Sequence, residues 1–201
     1  MTMKTARIIS FIFHPIILPS LAFLLLLNTG LYDFLLSDQA KGYILLVIFF
    51  TTATLPLLSV VLLAMNPKFD FLTGESRENA LPLLLTSVFY YLGFVLLSRI
   101  HFLPVFKLYM IGSVLLIVAL LLVSMKWKIS IHMAAAGAVT ATFFAISFRG
   151  GVNPMGALVV MVLVSGLIGT ARILLEKNNL PQLTAGYLFG FIILYPVIYF
   201  F

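Results

Sequence analysis

The sequence contains no cysteine. Disulfides, thiolate metal sites and a cysteine nucleophile are therefore excluded for this chain. Charge is almost as scarce. Only 9% of the 201 residues are Asp, Glu, Lys or Arg, whereas a soluble domain carries about 25%. Six acidic residues and three histidines leave little from which to build a metal site or a carboxylate pair. The formal net charge of +6 does not mark a nucleic-acid binder, because the basic residues are scattered between apolar runs without a cluster or a stacking platform. What the chain has in excess is apolar surface, 63% of its residues. Water cannot be its main solvent, and its length is better counted in membrane crossings of about 20 residues each.

Seven apolar runs fit that count, near Ile8–Leu27, Gly42–Met65, Leu81–Leu97, Val105–Met125, Ile131–Phe148, Pro154–Leu175 and Leu183–Phe201. Each is long enough to cross with modest tilt. The first run is too long for a signal peptide and lacks a small-residue cleavage pattern, so it is expected to remain as a helix. Connections are short, which makes consecutive helices antiparallel neighbours. The expectation is an all-α, polytopic membrane helix bundle of about seven transmembrane helices, with residues 1–201 forming a single integral membrane domain.

Alternating crossings put the N-terminus, the loop around residues 66–80, the Lys126–Ser130 junction and the Glu176–Pro181 loop on one side, termed here the first face. Eight of the 12 Lys and Arg residues lie there: Lys4, Arg7, Lys68, Arg77, Lys126, Lys128, Arg172 and Lys177. The positive-inside rule then favours a cytoplasmic first face and N-terminus, in a cell (inner) membrane. Small residues suggest where helices touch closely. Ala134, Gly137, Ala138 and Ala141 form one stripe, Gly166 and Gly169 lie together on the next helix, and Gly186 and Gly190 are spaced by four on the last.

The informative residues are polar ones at the membrane boundary, where a charge is costly and calls for a partner. Arg77 and Asn79 precede the third run, Lys128, Ser130 and His132 open the fifth, and Arg172 ends the sixth, with Asn178 and Gln182 just beyond. All belong to the first face. The set lacks the carboxylates and multiple histidines that hold a metal. It suits an oxyanion: arginine offers a bidentate fork, lysine a point charge, and serine and amide groups complete a cradle. The helix beginning beside Ser130 adds the positive end of its dipole. Of the other histidines, His101 falls on the opposite face. His14 is expected about 9 Å below the first face at 1.5 Å per helical residue from Ile8, where the simplest role is a hydrogen-bonded helix histidine beside Pro15.

The order of these residues resembles the type 2 phosphatidic acid phosphatase superfamily, lipid phosphatases whose three motifs are a lysine followed after six residues by Arg-Pro, then Pro-Ser-Gly-His, then Ser-Arg with a histidine and an aspartate downstream. Ile129-Ser130-Ile131-His132 is similar to the second motif. Ala171-Arg172, with Asn178, Gln182 and Leu183-Thr184-Ala185-Gly186 following at the family spacing, is similar to the third. Arg77-Glu78-Asn79-Ala80-Leu81-Pro82 keeps one basic residue and a proline of the first, and His14-Pro15 with Pro19 looks like a bacterial branch. The resemblance implies a core of that superfamily and a metal-independent, cofactor-free phosphohistidine mechanism. His132 would be the acid, and Arg77, Asn79, Lys128, Ser130, Arg172 and Gln182 would hold the anion. Asn178 stands where the nucleophilic histidine belongs and Gln182 where its orienting aspartate belongs. An amide nitrogen has no lone pair to offer phosphorus. Two functions follow from the sequence: a lipid phosphate phosphatase, or a relative without hydrolysis that binds or transports an anionic phospholipid.

Overall fold

The computed structural model describes residues 1–30, 32, 36–65, 80–100, 104–149 and 154–200. Arg77, Asn79 and His101 lie outside the described residues. Within them the chain is all helical, in the order α1 (Met3–Ile12), α2 (Leu18–Leu27), α3 (Asp38–Phe49), a π-helical turn (Phe50–Thr54), α4 (Leu55–Ala64), α5 (Ala80–Ser98), α6 (Pro104–Ser124), α7 (Ile131–Arg149), α8 (Met155–Leu174) and α9 (Leu180–Phe200). Six helical stretches are long and apolar enough to cross a membrane, with α3, the π turn and α4 counting as one. The apolar side chains of the outer helices, such as Leu163 and Ile192, are well exposed. In a bilayer that surface faces lipid.

The expected first crossing is corrected by the structure. The run Ile8–Leu27 is not one helix but two short ones, α1 and α2, separated at Phe13–Ile17. Pro15 is the cause. It has no N–H to continue the ladder, and it disfavours helical dihedrals at His14 before it. The freed groups are satisfied locally: the His14 carbonyl accepts from the N–H groups of Ile17 and Leu18 at 2.8 and 2.9 Å. A second proline, Pro56, perturbs α3–α4 less. Lacking an N–H for the Thr52 carbonyl, it follows the π turn, where the Thr51 and Thr52 hydroxyls each donate 2.8 Å bonds to carbonyls four residues back.

The centre of the bundle is α7, 67% of whose membrane span is buried against 22–39% for the other five. Its closest partner is α9, and small residues make that proximity possible. A Cβ on Gly137 would strike the Tyr187 carbonyl, and one on Gly190 would strike the Ala134 carbonyl and the Ala138 nitrogen, so the two backbones touch. Gly186 similarly faces the Ser130 carbonyl. Without a hydrophobic force between helices in lipid, such backbone contact is a main source of their attraction. It also fixes the start of α7 beside the start of α9, where the Ser130 N–H donates to the Gln182 carbonyl at 3.3 Å. By contrast Gly166 has open space around its Cα.

Two substitutions separate these glycines. Gly190→Ala must push α7 and α9 apart and is expected to cost about 1–3 kcal/mol. Gly166→Ala is expected to be neutral or to stabilise by up to about 1 kcal/mol through helix propensity. Thermal unfolding of the two variants in the same detergent measures both, and equal melting temperatures would contradict the packing described.

Candidate functional site

The end of α8 and the start of α9 are joined by a tight turn that aims three polar side chains at one another. Arg172 lies in the last turn of α8. After the cap residue Leu175, Glu176 takes a left-handed conformation at φ 53°. The Glu176 N–H then bonds the Ile173 carbonyl, and the Lys177 N–H bonds the Arg172 carbonyl, at 2.9 and 3.1 Å. This is a Schellman turn with glutamate in the place usually held by glycine. It brings Asn178 back onto Arg172, whose Nε donates to Asn178 Oδ1 at 2.9 Å. The other end of the amide donates to Gln182 Oε1 at 3.3 Å, and Gln182 also accepts from the Asn179 N–H at 3.1 Å. Gln182 thus acts as one half of a capping box for α9. Because arginine has only donors, the amide oxygen must face it, which fixes the direction of the chain Arg172 to Asn178 to Gln182.

Across from this turn lies the start of α7. Ser130 is almost fully buried and caps the helix, its Oγ accepting from the Met133 N–H at 3.4 Å. Two residues on, His132 lines the wall of the cavity. Its ring stands edge-on to that of His14, with centroids 5.1 Å apart, and it lies beside the Ser10 backbone of α1. His132 Nε2 is buried with no hydrogen-bond partner among the described residues. His14 reaches this position because the Pro15 break redirects the chain. Its Nδ1 accepts from the Ile16 N–H at 3.3 Å, so a neutral His14 carries its proton on Nε2 and presents a donor. Arg172 is within electrostatic range of both imidazoles.

These groups open into one cavity of about 380 Å³. His14, Lys128, His132, Arg172 and Asn178 form its polar end, and much of the rest of the wall, including Leu83, Leu116, Ile117 and Leu120, is apolar. Of the residues proposed from sequence, Lys128, His132, Arg172 and Asn178 share this wall. Ser130 and Gln182 do not; they hold the two helix starts that carry the others. From sequence, a helix hydrogen bond is the simplest role of His14, and the tertiary fold brings it to the wall of the cavity. A signal for it was present in the His-Pro pair, since a proline disfavours helical dihedrals at the residue before it, but the pair does not name the neighbours. No group of three His, Asp or Glu side chains that would hold a metal occurs among the described residues. The donors present, an arginine, a lysine, two imidazoles and an amide, are complementary to an anion.

Comparison with protein-family models, with curated proteins and with solved structures finds no match to this chain. The site therefore has to be read from its own chemistry.

Two substitutions test the turn. Asn178→Ala leaves the half-buried Arg172 Nε without its acceptor and is expected to destabilise by about 1–3 kcal/mol. Glu176→Gly relieves a left-handed side chain and is expected to stabilise by about 1 kcal/mol. Chemical or thermal unfolding reads both, and the opposite order of stabilities would refute the geometry.

Proposed function

We propose that this protein is a multi-pass membrane protein that holds the phosphate of a phosphorylated lipid at the first-face end of its bundle, without hydrolysing it by a phosphohistidine route. The observation that carries this reading is the placement of Arg172, Lys128, His14, His132 and Asn178 at one end of a cavity whose remaining wall is largely apolar. A headgroup anion and a hydrocarbon chain need those two surfaces in that order. The guanidinium spends Nε on Asn178 and keeps its Nη groups for a ligand, and the His14 Nε2–H and the second Asn178 N–H supply further donors. A charged cluster in a bilayer-embedded site has a role by default, because its burial costs free energy that an unliganded structural residue would not repay.

Several features support the type 2 phosphatidic acid phosphatase-like reading of this site. The second- and third-motif residues come from three helix ends in the order that the resemblance implies. The contact of Asn178 with Gln182 joins the two positions that would hold the nucleophilic histidine and its aspartate. Binding without turnover follows from Asn178, whose oxygen is engaged and whose nitrogen cannot attack phosphorus. His14 does not replace it, since its Nδ1 is occupied by the Ile16 N–H and its Nε2 bears the proton. Hydrolysis is a second reading, favoured by His132 Nε2, which is buried without a hydrogen-bond partner among the described residues and would be the proton donor to a leaving alkoxide. The excess of Lys and Arg on the first face favours placing the site at the cytoplasmic side.

The test is to purify the protein in detergent without added metal, offer several lipid phosphates, and follow both binding and phosphate release. Binding without release is expected. Arg172→Gln is expected to weaken binding by roughly ten- to hundredfold, the loss of a charge-assisted bond worth about 1.5–3 kcal/mol. Asn178→His is expected to gain measurable phosphate release that His132→Ala abolishes. Release by the unaltered protein would overturn the non-hydrolytic reading, and absence of any Arg172-dependent binding would overturn the site itself.

A further inference from the structure

The cavity has a shape as well as a polarity. On α6 its wall is the stripe Tyr109, Ser113, Leu116, Leu120 and Ser124, residues three or four apart that share one helix face. From Ser124 at the first-face end to Tyr109 this stripe spans 15 residues, or about 22 Å at 1.5 Å per residue. A single leaflet is only about 15 Å deep, half the ~30 Å hydrocarbon core. The lined stripe is therefore longer than one leaflet is deep.

The deep end is closed by aromatic side chains. Tyr90 on α5 and Tyr109 on α6 both line the cavity and are 4% and 2% exposed. Tyr109 lies one turn from Ser113 on the same face of α6, and its side chain forms part of the wall at this end. Behind it Phe23 packs edge-on at 4.7 Å, and Phe23 in turn stacks on Phe106 at 4.9 Å. The stop is backed by core, so a chain that reaches it cannot continue along α6.

Resting on the phosphate reading of the polar end, we infer that the ligand is a lipid phosphate with a tail that lies along α6, with Tyr109 and Tyr90 as the stop that sets its greatest length. An extended chain advances about 1.2 Å per bond, a third of the ~3.6 Å repeat of three backbone bonds. About 22 Å then holds roughly 18 bonds, and with the phosphoester end taken off, a tail near sixteen carbons. Within a micelle or bilayer a longer tail gains no hydrophobic free energy by entering, because it leaves one apolar medium for another. Length is therefore felt only as exclusion. Tails that fit bind alike, and tails that overrun must buckle against the rings or withdraw the phosphate from Arg172.

Two variants move the stop in opposite directions. Tyr109→Ala lowers it to Phe106, about 4.5 Å or one helical turn further, enough for about four more carbons. Ser113→Leu raises it by a similar distance, fills space rather than emptying it, and serves if the first variant does not fold. The experiment is native mass spectrometry of the purified protein with dodecyl, hexadecyl, eicosyl and tetracosyl phosphate. In the unaltered protein dodecyl and hexadecyl phosphate should bind equally, and the two longer chains at least about tenfold more weakly, a difference of ~1.4 kcal/mol. Tyr109→Ala should bring eicosyl phosphate to the level of hexadecyl, and Ser113→Leu should weaken hexadecyl while sparing dodecyl. Arg172→Gln should weaken all of them alike. Binding that depends on Arg172 but is indifferent to tail length, or whose cutoff moves in neither variant, overturns the length stop and leaves the phosphate site standing. Absence of binding at every length overturns both.

Discussion

The backbones of α7 and α9 touch, and the candidate site depends on that contact. Gly137 and Gly190 remove the side chains that would hold the two helices apart. Close approach along their length then sets their first-face ends side by side, tied by the Ser130 N–H to the Gln182 carbonyl. One of those ends presents His132 and the other follows Asn178. A bilayer supplies no hydrophobic force between helices, so this alignment comes from van der Waals contact and a few hydrogen bonds at the helix ends. The polar residues are placed by geometry that the apolar stretch beneath them enforces.

On that frame the electrostatics are economical. Arg172 at the end of α8 faces the starts of α7 and α9, where unsatisfied N–H groups carry partial positive charge. Among the described residues no acidic side chain lines the cavity. The cationic character is relieved only in part, by the Asn178 oxygen, and the remaining donors point toward the same space. An anion placed there would gain guanidinium, imidazole and amide bonds together in a medium of low dielectric constant, where such bonds count for more than in water. Below the donors the wall turns apolar within one helical turn, from His132 to Ala135 on α7. The change of surface matches the change from headgroup to chain in a lipid.

Much of the bundle was legible from the sequence because a bilayer imposes a simple rule: an apolar run near twenty residues must close its hydrogen bonds within itself. Five of the runs appear nearly where hydropathy puts them, and the second extends outward to Ser37, which caps α3 ahead of Asp38. The first run failed because hydropathy is blind to Pro15, which breaks a helix without altering its apolarity. Proline is not decisive by itself, since Pro196 sits inside α9 without ending it. At the site, residue types and order picked out Lys128, His132, Arg172 and Asn178, which do converge. They could not separate these from Ser130 and Gln182, because a capping residue and a ligand-binding residue look alike in one dimension. His14 lies over a hundred residues from His132 in sequence, and only the tertiary fold brings the rings within 5.1 Å. The length of the cavity was equally hidden, being a property of the space between helices.

The central claim is that a lipid phosphate sits against the Arg172 guanidinium inside the bundle. Solid-state NMR tests it directly, with arginine labelled at its guanidinium nitrogens, the protein reconstituted in bilayers containing hexadecyl phosphate, and magnetisation transferred from nitrogen to phosphorus. The account predicts a phosphorus contact to one arginine that disappears in Arg172→Gln and survives in Arg7→Gln, an exposed control outside the cavity. Absence of any arginine–phosphorus contact, or a contact unchanged by Arg172→Gln, would contradict it.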